Sequence, residues 1–395
     1  MVGTMKQRSV EIVGAGLSGL VAANRFAQLG WKVRVHERNS ELRMFGAGIW
    51  IWESGLKTLE TIGAFDAAVR RARSIKEWQI RDHKGRVLMS RLTNENDRLL
   101  LPPRADLYQA LIDRAFEQGV DIVTNSLAIG VTPDGKVQFE SGAETHADLV
   151  IVADGAYSRV RESILGTRWM DFGMEAGIRM LIDAKPGDGT DTLIEHWNGP
   201  WRLLYNPCTD GKNYIFLSAP VDDMRARRIP IDVDLWKSKF PEAGDLLERC
   251  EVDSRWDRLV AVKCRTWTQG RVAIVGDAAH AMPPNLGQAA NTAFINVMAL
   301  AAMTTASEEI PSALIEWEKQ QRPISNHVQM WSYLYGYVLG KWPKSFLTLR
   351  SDFVAALSKT EWFDESLNRG ARHVPEGYVA VPASLESSSR QLPSK

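Results

Sequence analysis

Short apolar runs and helical periodicities alternate along the first 40 residues. Residues 9–14, Ser-Val-Glu-Ile-Val-Gly, predict a buried strand, and the Ala-rich stretch 17–29, closed by Gly30, predicts a helix. Residues 32–37 alternate valine with polar residues and predict a second strand, so the chain opens with a βαβ unit. Leu107, Leu111, Ile112 and Ala115 share one face of a helix expected over 104–118, followed by strands at 120–124 and 148–153. From about 175 to 265 the pattern changes to brief alternations, such as 202–205 and 214–219, separated by turns like Thr209-Asp210-Gly211. That pattern predicts an antiparallel sheet inserted into the first domain, because residues 271–276 return to a parallel-type strand and the chain is mostly helical from Gly287. The expected division is 1–75, 100–172 and 265–310 for a discontinuous first domain, and 76–99 plus 173–264 for the inserted sheet. Residues 311–373 form a helical region, and 374–395, mixing Pro, Ser and Gly, a loosely ordered tail.

Composition narrows the choice of partner. The 395 residues carry 48 basic and 48 acidic side chains, a balance that argues against nucleic acid or an anionic membrane and leaves small molecules. Cys208, Cys250 and Cys264 have neither disulfide nor zinc spacing, so no metal is expected and a cytoplasmic location fits. No signal peptide and no membrane span are predicted. Fourteen tryptophans include Trp50, Trp52, Trp197, Trp201 and Trp331, each read first as core and second as the wall of a pocket for a flat ligand.

The strongest chemical signal is Gly14-x-Gly16-x-x-Gly19 between the first strand and helix. Gly14 permits the tight turn, Gly16 lets backbone approach a pyrophosphate, and Gly19 lets helix and strand pack closely. The helix start, with Leu17 and Ser18, then faces the phosphates. Glu37 ends the second strand where it can accept from a ribose, with Arg38 beside it. This fingerprint alone leaves FAD and NAD open.

Two later segments bear on that choice. Residues 271–284 run Arg-Val-Ala-Ile-Val-Gly-Asp-Ala-Ala-His-Ala-Met-Pro-Pro, a strand ending in Gly276-Asp277 and a Pro-Pro turn, with Gly287-Gln288 opening a helix. Residues 154–161 run Asp-Gly-Ala-Tyr-Ser-Arg-Val-Arg. In this order, over about residues 9–330, the three motifs resemble the class A, single-component FAD-dependent aromatic hydroxylases. The resemblance implies an α/β, para-hydroxybenzoate-hydroxylase-like fold with a Rossmann-type FAD domain, an inserted antiparallel substrate sheet and a helical C-terminal region. It implies that Asp277 holds a ribityl hydroxyl, and that Pro284, Gly287, Gln288, Ala289 and Asn291 lie against the flavin ring, where a helix start stabilises the reduced form. It further assigns Asp154 and Gly155 to FAD and the nicotinamide, Arg104 to the flavin phosphates or ribityl chain, with Gln109 one turn on, and Gly48 to a stretch behind the flavin. With one glycine fingerprint, NADH or NADPH is expected to dock transiently while FAD stays bound.

The same resemblance implies that a flavin C4a-hydroperoxide delivers oxygen to an electron-rich ring, so the protein's tasks are positioning and exclusion of water. The expected partners are dioxygen and a small hydroxylated aromatic or pyridine carboxylic acid, hydroxylated, ring-opened or stripped of a substituent. The protein itself is expected as a monomer or homodimer. Within the family, residues 41–52, Glu-Leu-Arg-Met-Phe-Gly-Ala-Gly-Ile-Trp-Ile-Trp, and 202–208, Arg-Leu-Leu-Tyr-Asn-Pro-Cys, are similar to the pyridine-acid oxygenases. That similarity assigns Arg202 and Tyr214 to the substrate, a guanidinium suiting a carboxylate or phenolate. Two departures stand out: Glu77 or Trp78 replaces a substrate-side tyrosine, and Ala289 replaces a glycine, demanding a slightly different backbone. His280, inside the second motif, is read as structural or flavin-proximal rather than as a base. Alternatives are a non-catalytic FAD redox sensor, a dehydrogenase, and a halogenase, whose Trp-x-Trp-x-Ile-Pro segment is not matched where Trp50-x-Trp52 continues Glu53-Ser54.

Overall fold

The computed structural model describes residues 7–374 apart from 43–46, 165, 172, 190 and 251–253. The expectations for residues 43–46 and for the tail beyond 374 therefore lie outside the described residues.

Strand Ser9–Val13 pairs in parallel with Lys32–His36 on one side and Leu149–Val152 on the other. The six-stranded sheet has the order 268–269, 272–274, 149–152, 9–13, 32–36, 121–123, parallel except at the first pair. Leu149–Val152 is buried throughout, as a central parallel strand covered on both faces must be. Helix Leu17–Gln28 packs on this sheet, and Gly30 follows it at φ +82°.

The second sheet has seven strands in the order 256–258, 175–183, 212–220, 201–209, 192–198, 77–81, 87–92. All neighbours are antiparallel except Thr192–Asn198 against Glu77–Arg81, where the edge hairpin joins in parallel. Its two faces do different jobs. Ile178, Leu203, Ile215 and Leu217 face helices Val233–Lys239 and Gly244–Glu248 in one apolar cluster. The alternate residues, among them Arg179, Arg202, Leu204, Tyr214 and Phe216, line the cavity between this sheet and the first domain.

Helix Ala289–Ala306 is, among the described helices, long and apolar enough to cross a membrane, a candidate the sequence reading had not registered. It is instead a core helix, packed between Leu17–Gln28 and the long helix Ile310–Lys341. The tryptophans divide as the packing requires. Trp50, edge-on to both Trp52 and Trp78, forms with them a cluster with centroids 5.6–6.4 Å apart, and Trp201 packs on Trp236 on the opposite side of the second sheet. Trp197 packs edge-on against Tyr335, and Trp331 against Trp362 and Phe363.

Candidate active site

A cavity of about 820 Å³ runs from the glycine turn to the inner face of the second sheet. At one end, Gly14 adopts φ +102°, and a Cβ there would lie 2.5 Å from the Ala153 carbonyl oxygen. A Cβ on Gly19 would lie 2.0 Å from the Gly14 oxygen, so Gly19 serves helix–strand packing and does not reach the cavity. Gly16 is different: it is exposed to the cavity, and the protein leaves its Cβ position almost empty. That bareness leaves room for a ligand to approach the backbone. Leu17, Ser18, Glu37 and Arg38 line the same end.

The Glu37 carboxylate is already oriented by protein donors. Ala15 N donates to one oxygen at 3.1 Å, and Asn39 donates to the other through its backbone at 3.0 Å and its amide at 2.6 Å. Asn39 was not singled out from sequence. Its signal was available: an Asn two residues after an acidic strand end is a common local turn partner.

Mid-cavity, Arg104 opens helix Arg104–Glu117, whose first turn is held by Arg104 N donating to Ala47 O at 2.9 Å. Burial lowers the Arg104 guanidinium, and the Asp277 carboxylate pulls it back up; Asp277 in turn is pushed up by its enclosure despite Arg104. The Asp277 side chain opens into the cavity while protein surrounds its other sides. Asp154 follows strand Leu149–Val152, and burial raises it against its Ser158 hydrogen bond. Arg104 Nε and Asp154 Oδ1 are both buried without a hydrogen-bond partner in the protein. A flavin dinucleotide fits this donor set: phosphates for Arg104 and the two helix starts, ribityl hydroxyls for Asp277, and an unsatisfied acceptor at Asp154. Gly48 and Gly155 also line the cavity.

Arg161 ties the two motifs together. Its Nη1 donates to Ala156 O at 3.1 Å and to Ala278 O at 2.8 Å, fixing the Asp154 turn against the Asp277 turn.

Beyond Asp277, Pro284, Gly287 and Ala289 line the cavity. Gly287 adopts φ +62°, and a Cβ there would lie 2.2 Å from Trp50, so glycine is required. Ala289 is the first residue of its helix and avoids the left-handed region that a glycine could adopt. Gln288 and Asn291 do not place their side chains on the cavity. Gln288 donates to Leu367 O at 2.8 Å, while Asn291 accepts from Trp52 N at 3.0 Å and donates to Gly287 O at 3.2 Å. These two residues brace the helix start from behind. Trp78 is buried behind Trp50, and Glu77 points to the other side of its strand, where it accepts from Ser90 Oγ. Gln109 is exposed and bonds Asp113.

At the sheet end, Arg202 is buried and donates from Nη1 to Asn285 Oδ1 at 2.8 Å. Its Nε lies 3.5 Å from Glu195 Oε1. Burial alone would lower the guanidinium, yet Glu195 and Glu175 more than offset this and hold it charged. Glu195 also accepts from Trp197 Nε1 at 2.8 Å and Tyr335 OH at 2.6 Å. Glu175, pushed up by burial, accepts from Ser218 Oγ at 3.0 Å. Tyr214 is buried on the next strand; burial raises its phenol, and Arg179 and Arg202 pull the other way. Asn285, Glu195, Glu175 and Tyr335 were not identified from sequence.

His280 faces away from the cavity. Asn296 Nδ2 donates to its Nε2 at 3.0 Å, Trp267 packs against the ring at 5.1 Å, and burial lowers it to about 4. The folded chain therefore keeps it neutral below the ordinary value of 6.5, and the unfolded chain takes up the extra proton. Stability should fall as pH drops from 6.5 towards 4, by up to about 3 kcal/mol from this residue. Thermal unfolding across that window should show a shallower pH slope in His280→Leu than in the parent. Parallel slopes would contradict the assignment.

A family model described as an FAD binding domain matches residues 7–328. A probable 2-heptyl-3-hydroxy-4(1H)-quinolone synthase of Rhodococcus erythropolis is 37% identical over 338 residues, covering 83% of this chain and 88% of that protein. The 2-heptyl-3-hydroxy-4(1H)-quinolone synthase of Mycobacteroides abscessus is 35% identical, with 90% and 96% covered. Among solved structures, 2-methyl-3-hydroxypyridine-5-carboxylic acid oxygenase superposes with a TM-score of 0.81 at 34% identity, covering 93% of this chain and 97% of that one.

Proposed function

Because the chain belongs to the FAD-binding-domain family of class A flavin monooxygenases, we propose that it inserts oxygen into a nitrogen-containing aromatic ring that carries a hydroxyl, oxo or carboxylate oxygen. The enzyme is an FAD-dependent aromatic-ring monooxygenase with NADH or NADPH as donor; FAD held in this cavity would supply hydride acceptance from the nicotinamide and dioxygen activation. One observation carries the planar, oxygen-bearing ring: the cavity combines flat apolar walls, Phe216 and Trp50, with hydrogen-bonding groups at Arg202, Tyr214 and Arg179. Flat walls take a planar ring, and a few placed polar groups fix its rotation. The similarity to quinolone and hydroxypyridine enzymes supports the same class.

The roles follow from position. Gly14, Gly16 and the helix start at Leu17 receive the pyrophosphate; Glu37 receives the ribose; Arg104, Asp154 and Asp277 hold the chain leading to the flavin. Pro284, Gly287 and Ala289 form the wall against the ring system. Strands Glu77–Arg81, Val87–Leu92, Glu175–Asp183, Thr192–Asn198, Trp201–Thr209 and Lys212–Pro220 form the roof that excludes water from the reacting carbon, and Tyr214 and, through Asn285, Arg202 orient the substrate.

The test is NADH and NADPH oxidation by the holoenzyme across a panel of 4-quinolones, hydroxypyridine carboxylates and hydroxybenzoates, with products read by mass. The expected result is stimulation by a heteroaromatic with a product one oxygen heavier. A gain of two oxygens with lost ring absorbance would assign ring opening. Stimulation confined to hydroxybenzoates would overturn the nitrogen-ring reading, and turnover indifferent to dioxygen would point to a dehydrogenase.

A further inference from the structure

Two arginines reach the cavity from the second sheet, and they differ in how their charge is met. Arg202 stands opposite Ser218 across the sheet, and Arg179 opposite Phe216. Both guanidinium groups lie against the Phe216 ring, Arg202 at 4.8 Å and Arg179 at 5.1 Å from its centroid. Gly177 makes room for that ring, since a Cβ there would lie 2.3 Å from it. Arg202 is enclosed, bonded to Asn285, and set between the buried carboxylates Glu195 and Glu175. Its positive charge is already matched by protein. An anion brought to it would meet two carboxylates as well as one guanidinium, which leaves little net attraction.

Arg179 is half-buried and lines the same cavity. Among the described residues no carboxylate forms an ion pair with it; its neighbours are the Phe216 face and the Tyr214 hydroxyl. Asp257, on the same face of the adjoining strand, is paired with Arg255, so Arg179 presents its guanidinium to the substrate space with no ion-paired carboxylate among the described residues.

We propose that Arg179, with the Tyr214 hydroxyl beside it, receives the anionic oxygen of the substrate, and that Arg202 is a positioning residue that holds Asn285. Resting on the heteroaromatic reading above, this names the residue that selects for charge. The anionic oxygen is either a ring carboxylate or an ionised ring hydroxyl; both present an oxygen that a guanidinium and a phenol can bond together. An ionised hydroxyl held there also leaves the ring richer in electrons for attack by an electrophilic oxygen.

The experiment titrates holoenzyme with four probes, 6-hydroxynicotinate, 6-hydroxynicotinamide, 4-hydroxyquinoline and 4-methoxyquinoline, following the flavin absorbance for Kd. Parent, Arg179→Gln and Arg179→Lys are compared, with FAD content measured in each. Arg179→Gln should weaken the anionic probe by about tenfold or more, the worth of a charge-assisted hydrogen bond, with Arg179→Lys recovering part of it. A loss confined to 6-hydroxynicotinate assigns the carboxylate; one shared by 4-hydroxyquinoline but not 4-methoxyquinoline assigns the ring oxyanion. Equal loss for all four probes, or for none, overturns the proposal, as does loss of FAD from Arg179→Gln. Failure of the parent to bind any probe removes the heteroaromatic reading on which the proposal stands, whereas oxygen insertion in the parent with an unchanged charge preference in Arg179→Gln removes only the proposal.

Discussion

Asp277→Ala should purify largely without FAD while remaining folded. The Asp277 carboxylate opens into the cavity at the start of the short helix Asp277–His280, directly after Gly276, whose φ of +60° aims the turn inward. Enclosure pushes its carboxyl up, and the field of Arg104 pulls it down. A carboxylate in that position gains most when a ligand hydroxyl donates to it, so its removal falls on the bound state. Hydrogen bonds to charged groups contribute about 1.5–3 kcal/mol, which corresponds to roughly a 10- to 150-fold weaker Kd for FAD. Asp277→Asn keeps an acceptor without the charge and should lose less. The readouts are the flavin-to-protein absorbance ratio and the FAD Kd of the reconstituted protein, with circular dichroism as the check on folding. Full flavin content in Asp277→Ala would remove Asp277 from the cofactor site.

What the sequence made legible was whatever is dictated locally by backbone geometry. Gly14 and Gly287 sit at positive φ with backbone or tryptophan where a Cβ would be, and Gly16 is left bare toward the cavity. Each lies at a junction of strand, turn and helix that periodicity alone can find. The apolar alternation of 202–205 and 214–219 likewise foretold the second sheet, and the register of the folded strands puts Arg202, Leu204, Tyr214 and Phe216 on one face. Motif position did not foretell side-chain direction. Gln288 and Asn291 belong to the helix start yet turn back to Leu367 and Trp52, because the first turn of a helix presents successive residues to different sides. The neighbours of Arg202 were illegible for another reason. Glu175, Glu195, Asn285 and Tyr335 come from four separated segments, and no local pattern ties one to another. One sign was present in Thr192–Asn198: Leu193, Glu195 and Trp197 share a face, so a charged residue stands where its strand is otherwise apolar. A carboxylate on an apolar face calls for a buried cation, and the directly paired strand supplies Arg202 next to it.

That pairing sets the largest expected effect on stability. Glu195 is fully buried, and its Oε1 takes hydrogen bonds from Trp197 and Tyr335 while facing Arg202 Nε. Glu195→Ala removes the acceptor from two buried donors and leaves a buried guanidinium short of a counterion. Breaking a buried pair by deleting one partner costs about 3–5 kcal/mol, so the variant should show a sharply lower urea midpoint or fail to accumulate as soluble protein. Glu175 lies near enough to keep part of the compensation, so the loss should stop short of a wholly unpaired charge. Glu195→Gln keeps an oxygen for Trp197 and Tyr335 and should fall between parent and Ala. The double change Glu195→Met with Arg202→Met removes both charges and should regain a large part of the midpoint, because the cost lies in the stranded ion rather than in the lost contact. If Glu195→Ala unfolds at the parent's urea concentration, Arg202 is not held by Glu195, and the argument that its charge is spent within the protein falls with it.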